Sequence, residues 1–295
     1  MSSSDTSPAV RPPQALHTIA VLGAGIMGRG IAYAAALGGY TTILQDTDGG
    51  SLENWMNDIW ATFEKGVVTG KVDEEAAMRA NKRLSSSRSL EDAAQGADLV
   101  IEAVPERIDL KVELFGALDR ITPPHAILAS NTSSLSITEM AAATQRPRQV
   151  VGMHFFNPVH RMRLLEVVRA LETSDETIEA AKAVGVKMGK ECVVVRESPG
   201  FVTSRINAMI GNEAFYMLQE GVASARDIDK ALKLGLNHPM GPFELVDLVG
   251  LDTRLSILQY LHRTLGEKFR PCPLLEQHVR DGRLGRKVGK GVYDY

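Results

Sequence analysis

Most of what would mark a special environment is scarce in this chain. Only two cysteines, Cys192 and Cys272, occur in 295 residues. They stand 272 − 192 = 80 positions apart, with no metal-type spacing around either, which excludes a disulfide-stapled secreted scaffold. Both read as reduced thiols in a cytoplasmic protein, and no metal is expected. No apolar run approaches the ~20 residues of a membrane span. The opening MSSSDTSPAVRPPQ lacks the apolar stretch of a secretory signal. Rich in Ser and Pro, residues 1–16 are expected to be a disordered tail. A formal charge of −3 leaves no general pull toward nucleic acid or anionic membrane, so neither is expected as a partner. What remains is a composition of 44% hydrophobic and 23% charged residues, that of an ordinary soluble chain long enough for two cored domains.

Along that chain, short β-branched runs alternate with helical periodicity. The strand-like runs are TIAVLG (18–23), TTILQD (41–46), ADLVIEAV (97–104) and AILAS (126–130), then VVGMHFF, LLEVV and ECVVV (191–195). Helical spacing falls on 26–37, 51–68, 74–82, 107–121 and 175–188. Strands alternating with helices predict a mostly parallel α/β sheet of the doubly wound, Rossmann type over residues 17–196. From Ser198 the pattern turns helical. Val202, Ile206, Met209 and Ile210 recur at helical spacing and Gly221 stops that run. Ser224 with Asp227 reads as a capping box, Pro242 as a first helical turn ended at Gly250, and Asp252 as the cap of a helix closed by Gly266. No further strand is expected before the final GVYDY. Residues 197–295 therefore read as an all-helical domain.

TIAVLGAGIMGRG places Gly23, Gly25 and Gly28 between a strand and a helix, with Ile26 and Met27 completing the loop. In a G-x-G-x-x-G turn the first glycine permits the tight turn, the second admits a pyrophosphate, and the third lets helix pack on strand. Unpaired N–H groups at the helix start receive the anion. Asp46 ends the next strand, 46 − 28 = 18 residues on, where a carboxylate accepts from an adenosine ribose diol. If Asp46 stood alone, a simple turn residue would be the better reading. Together these features point to a dinucleotide. A carboxylate there repels a 2′-phosphate, and no Arg follows closely, so NAD is favoured over NADP.

VVGMHFFNPVHRMRLLEVV (150–168) reads as a hairpin of two buried strands with His154 in one and Glu166 in the other. An unpaired Glu among Leu and Val would cost several kcal/mol. A His–Glu pair facing across the strands removes that cost. It also forms a general base, the imidazole taking a hydroxyl proton while the carboxylate orients the ring. The plainer reading is a satisfied core histidine with Glu166 at the solvent edge.

GAGIMGRGIA, EAVPER, SNTSSL, HFFNPVHRMRLLEVV, SPGF and HPMGPFELVDLVGLD, in this order, resemble the 3-hydroxyacyl-CoA dehydrogenases, and among them the short-chain 3-hydroxybutyryl-CoA enzymes. The likeness runs from about residue 17 to the end. It implies reversible, NAD-dependent oxidation of an (S)-3-hydroxyacyl-CoA to the 3-ketoacyl-CoA, and a homodimer formed through the helical domain. His154 matches the family's base and Glu166 its orienting partner. Ser133, 21 residues before His154 (154 − 133), matches a serine that bonds the substrate oxygen, with Ser134 the other candidate. Asn157 matches a residue near nicotinamide and substrate. Glu106 and Lys111 match contacts to the nicotinamide half and the CoA; both are equally explained as exposed helix charges. Lys65, with Lys71 and Arg79, falls in a helical hairpin that contacts CoA, or on a solvated face. The chain departs from the family at Ser204, where many members have an Asn that holds the substrate carbonyl; Asn207 and Asn212 lie on the same helix, and Asn207 is the better-phased substitute.

Three other readings stand beside this one. A hydroxyisobutyrate- or phosphogluconate-type dehydrogenase would rely on a Lys base, and none sits in these motifs. An oxidiser of a free hydroxy acid or sugar acid shares the scaffold. A non-catalytic dinucleotide-binding protein would have no use for Ser133, His154 and Glu166 together.

Overall fold

The computed structural model describes residues 16–47 and 52–295; most of the expected N-terminal tail therefore lies outside the described residues. The chain divides into two compact units between Glu197 and Ser198.

In the first unit, strands β1 (Thr18–Leu22), β2 (Thr41–Gln45), β3 (Leu84–Ser87) and β4 (Leu99–Glu102) are interleaved with helices α1 (Ile26–Leu37), α2 (Leu52–Val68), α3 (Glu74–Lys82) and α4 (Leu90–Ala94). There follow α5 (Ile108–Ile121), β5 (Ile127–Ser130), α6 (Ile137–Ala142), β6 (Val150–Phe155), β7 (Leu164–Arg169), α7 (Asp175–Lys187) and β8 (Glu191–Arg196). They build one sheet in the order β3-β2-β1-β4-β5-β6-β7-β8. The first six are parallel neighbours, and β6 meets β7 antiparallel. This is the doubly wound architecture expected. β1, β4, β5 and β6 are buried along nearly their whole length, as strands covered on both faces must be, and so read as unbroken apolar runs.

The strand order reverses direction between β1 and β4, which opens a crevice at the carboxyl ends of the parallel strands. That edge carries the glycine loop after β1, Asp46 after β2, Glu102 at the end of β4, Ser133 after β5 and His154 near the end of β6. Side chains fix the helix starts around this frame. Asp73 accepts from Ala76 N at 2.9 Å, and Ser174 from Thr177 N at 3.2 Å, each meeting a backbone donor the helix leaves unpaired.

The second unit comprises α8 (Thr203–Gln219), α9 (Ala225–Gly235), α10 (Pro242–Val249), α11 (Leu251–Leu265) and α12 (Pro273–Arg280). Phe215, Phe243, Leu258 and Phe269 are its buried centre, with the Phe215 and Phe243 rings edge to face at 5.2 Å. Two expectations need correction. Asp252 does not cap α11: Gly250 holds that place at φ +104°, and Asp252 sits inside the first turn bonded to Lys287 at 2.6 Å. GVYDY does not form a strand either. The buried Asp247 gathers the tail instead, accepting from Val292 N (2.8 Å), Tyr293 N (2.9 Å) and the Tyr295 hydroxyl (3.0 Å). Among the described residues no helix is long and apolar enough to cross a membrane.

Candidate active site

The three glycines of the first loop meet different surroundings. A Cβ at Gly23, which lies at φ +96°, would stand 2.6 Å from Ala103 O, so β1's turn and the end of β4 close on each other there. A Cβ at Gly28 would stand 1.7 Å from Gly23 O, so helix and turn touch directly. At Gly25 a Cβ would meet nothing within 4 Å, and φ is −63°. Among the described residues nothing requires a glycine at that position. The open space lies at the N-terminus of α1, where no side chain caps the helix and no acid occupies the first turn, the arrangement that receives a pyrophosphate. Asp46 Oδ2 accepts from Ala24 N at 2.8 Å, so the carboxylate expected to face a ribose is fixed to the loop. These residues fit a dinucleotide. Of the two loop side chains, Ile26 is exposed and Met27 packs partly against the core.

Behind Ser133 lies a buried ionic network. Glu102 ends β4 with no exposure, and its Oε1 accepts from Lys111 Nζ at 2.6 Å and Val104 N at 2.7 Å. Its Oε2 accepts from the Ser130 hydroxyl at 2.6 Å. Desolvation pushes the Glu102 carboxyl above the ordinary range, and the Lys111 charge and hydrogen bond draw it part of the way back. Lys111 is 1% exposed, so it is no solvated helix charge. Its ammonium also meets Glu106 Oε2 at 3.2 Å. Glu106 in turn accepts from the Thr132 hydroxyl and, at 3.0 Å, from Ser133 N. The loop after β5 is thus held to the turn after β4. Ser133 is half-buried, whereas Ser134 is buried.

In the β6–β7 ladder His154 stands directly opposite Glu166. Side chains of paired residues share one face of a sheet, and Nδ1 lies 2.7 Å from Glu166 Oε2. His154 is 6% exposed and Glu166 1%. A carboxylate only accepts, so Nδ1 carries the proton and Nε2 the lone pair of the neutral ring. Asn131 Oδ1 accepts from Phe155 N at 2.9 Å, tying the end of β6 to that of β5. Asn157 is exposed and, with Ile26 and Arg29, lines a cavity of about 330 Å³.

Lys65 is exposed in the last turn of α2, and its charge, with those of Arg161, Lys190 and Lys71, adds to burial in holding the His160 imidazole below its usual range. Arg79 pairs with Glu75 at 3.0 Å. Ser204 and Asn207 stand half-buried about one turn apart on α8 of the second unit. Asn212 is committed elsewhere: it donates to Arg270 O at 2.8 Å and accepts from Cys272 N at 2.9 Å. Sequence reading missed Glu102, although the signal was present. A carboxylate inside LVIEAV poses the same question as Glu166 inside LLEVV. Among the described residues no group of three or more His, Cys, Asp or Glu is placed to hold a metal ion.

The family model described as 3-hydroxyacyl-CoA dehydrogenase, NAD binding domain, matches residues 18–198, and that described as 3-hydroxyacyl-CoA dehydrogenase, C-terminal domain, matches 200–295. A probable 3-hydroxybutyryl-CoA dehydrogenase of Bacillus subtilis is 49% identical over 281 residues, covering 95% of this chain and 98% of its own. The 3-hydroxybutyryl-CoA dehydrogenase of Bradyrhizobium diazoefficiens is 46% identical over 281 residues, 95% of this chain and 96% of its own. The crystal structure of (S)-3-hydroxybutyryl-CoA dehydrogenase from Ralstonia eutropha superposes with a TM-score of 0.91 at 41% identity, covering 95% of this chain and 99% of that one. With the strand order, the glycine loop and the His154–Glu166 pair in place, these matches identify the chain as a member of the 3-hydroxyacyl-CoA dehydrogenase family, carrying that family's NAD-binding domain and its C-terminal domain.

Proposed function

We propose that this chain catalyses the reversible, NAD-dependent oxidation of short-chain (S)-3-hydroxyacyl-CoA, 3-hydroxybutyryl-CoA above all, to the 3-ketoacyl-CoA. One observation carries the proposal: a buried imidazole held by a buried carboxylate at 2.7 Å, at the sheet edge where the dinucleotide loop also lies. His154 Nε2 removes the proton of the substrate hydroxyl, and Glu166 stabilises the imidazolium that results. In the reverse direction the same imidazolium returns that proton to the carbonyl oxygen. NAD held by the glycine loop and Asp46 would supply the hydride acceptor for oxidation and, as NADH, the donor for reduction. Gly23, Gly25 and Gly28 with Ile26 and Met27 receive the pyrophosphate end, Asp46 faces the ribose, and Glu106 supports the nicotinamide half. Lys111, matched to a CoA contact, is buried between Glu102 and Glu106 and serves the site by holding Glu106 in place. Ser133 donates to the substrate oxygen with Asn157 beside it. Lys65 and the half-buried Asn207 serve the acyl-CoA, and the shorter Ser204 contacts the thioester side with less reach than Asn.

The names of the relatives support the four-carbon substrate, and Asp46 after β2 supports NAD over NADP. Val202 just before α8, Ile206 and Met209 on α8 and Leu248 on α10 are exposed, which supports a homodimer through the helical unit. Burial raises both thiols, Cys192 and Cys272, in keeping with inert cysteines in the cytoplasm. The test is NADH oxidation with acetoacetyl-CoA, longer 3-ketoacyl-CoA thioesters and free acetoacetate. Turnover fastest with acetoacetyl-CoA is expected; preference for the free acid would move the chain to the hydroxy-acid oxidisers, and NADH binding without turnover to the sensors.

A further inference from the structure

The turn between β6 and β7 rests on a lysine that the mechanism does not use. Lys190 precedes β8, is 8% exposed, and donates from Nζ to Val159 O and, at 2.9 Å, to Met162 O. Among the described residues no carboxylate lies within ion-pair distance of this ammonium. It is satisfied by carbonyl dipoles, and burial holds it below the ordinary lysine range. Within the turn Arg161 N and Met162 N both donate to Pro158 O, and at its end Glu191 N donates to Arg163 O at 2.7 Å. Val159 is an apolar foothold, seated where a Cβ at Gly30 of α1 would come within 2.8 Å of it. Asn157, Pro158, Val159 and His160 form one wall of the 330 Å³ cavity, and Tyr33, edge-on to His160 with ring centroids 6.2 Å apart, stands on another.

We propose that Lys190 is a positioning residue for acyl-CoA: its two carbonyl hydrogen bonds hold the Asn157–Met162 turn in the shape that presents Asn157 and His160 to the cavity. This rests on the acyl-CoA reading given above. Kinetics separate it from a purely structural role. Loss of the ammonium leaves two carbonyls without their donor, which lowers stability whichever role Lys190 has. A positioning role adds a rise in KM for the acyl-CoA that Lys190→Arg, by restoring N–H donors, reverses in part.

The experiment compares wild type with Lys190→Met, Lys190→Gln and Lys190→Arg for melting temperature, NADH affinity without substrate, and steady-state kinetics with acetoacetyl-CoA. Lys190→Met is expected to melt somewhat below wild type, because Val159 O and Met162 O lose their donor. Its KM for acetoacetyl-CoA should rise roughly tenfold to a hundredfold, the scale on which a displaced positioning group acts. Lys190→Arg, which keeps N–H donors, should recover part of that loss, with Lys190→Gln in between. If Lys190→Met does not fold, the ordering of the other two decides. Unchanged KM in the folded variants overturns the proposal, as does a fall in kcat and melting temperature together at constant KM. A wild-type chain that does not oxidise NADH with acetoacetyl-CoA removes the underlying reading, and with it this proposal, before any variant is compared.

Discussion

Gly25 and Gly28 are the same residue type three positions apart, yet opposite constraints act on them. At Gly28 the constraint is internal, because a methyl group would overlap Gly23 O. Gly28→Ala is expected to cost several kcal/mol of stability, the scale of overpacking with backbone displacement, read as a fall in melting temperature. At Gly25 the constraint is external. Gly25→Ala should melt like wild type, because its Cβ meets only open space and its φ of −63° suits any residue. The KM for NADH should nevertheless rise at least about tenfold, as expected where the backbone must approach a pyrophosphate closely. Equal melting temperatures and equal KM values for both variants would contradict this division. The paired residues of β6 and β7 behave similarly: Glu166→Gln keeps the shape and loses the charge that orients the ring, so kcat should fall by about a hundredfold or more with little change in NADH affinity.

At the scale of elements, helix caps and strand pairing separate what sequence reading reached from what it did not. The boundaries of α1 and α3 follow from periodicity and capping, and the facing of His154 and Glu166 follows from the two-residue alternation of a strand. β3 escaped because Leu84 is followed by three serines; its backbone pairs with β2 at the sheet edge, and nothing in its side chains announces that. The tail escaped because Asp247, not a partner strand, organises it. Lys111 was legible as a match to a CoA contact or as an exposed helix charge, but not as a buried cation, since the carboxylates that bury it come from the preceding strand and turn. Glu244, in the first turn of α10, supplies a pH test. It accepts from Lys233 Nζ at 2.6 Å and Gly241 N at 2.9 Å. The lysine hydrogen bond, then the backbone one, hold its carboxyl below the ordinary range. A depressed folded-state value gives stabilisation that is present above the unfolded value near 4.5 and lost as pH falls through the folded one. Glu244→Gln should therefore cost about 1 kcal/mol at neutral pH and almost nothing once wild-type Glu244 is protonated. Denaturant melts at pH 7 and at a series of values descending below 4.5 read the difference, and a cost that stays constant down the series would contradict the assignment.

At the scale of the whole molecule, composition and length bounded the class but not the assembly. A chain of 32.0 kDa with Leu248, Ile206 and Val202 each about half exposed should sediment at micromolar concentration as a species of twice that mass, and a single monomeric boundary would count against the homodimer. In the helical unit Phe215, Val246 and Leu251 are buried, while Met209 and Leu248 are exposed. Exposed apolar surface of that kind is what a second copy can cover. The substrate is proposed from the relatives' names and left to the assays above to test, because fold class alone does not carry function. Everything chemical depends on the imidazole across from Glu166. The most direct measurement is NADH oxidation with acetoacetyl-CoA by His154→Ala beside wild type: removal of the general base is expected to lower kcat by about a hundred- to ten-thousandfold with NADH affinity retained, and a variant that turns over at the wild-type rate would contradict it.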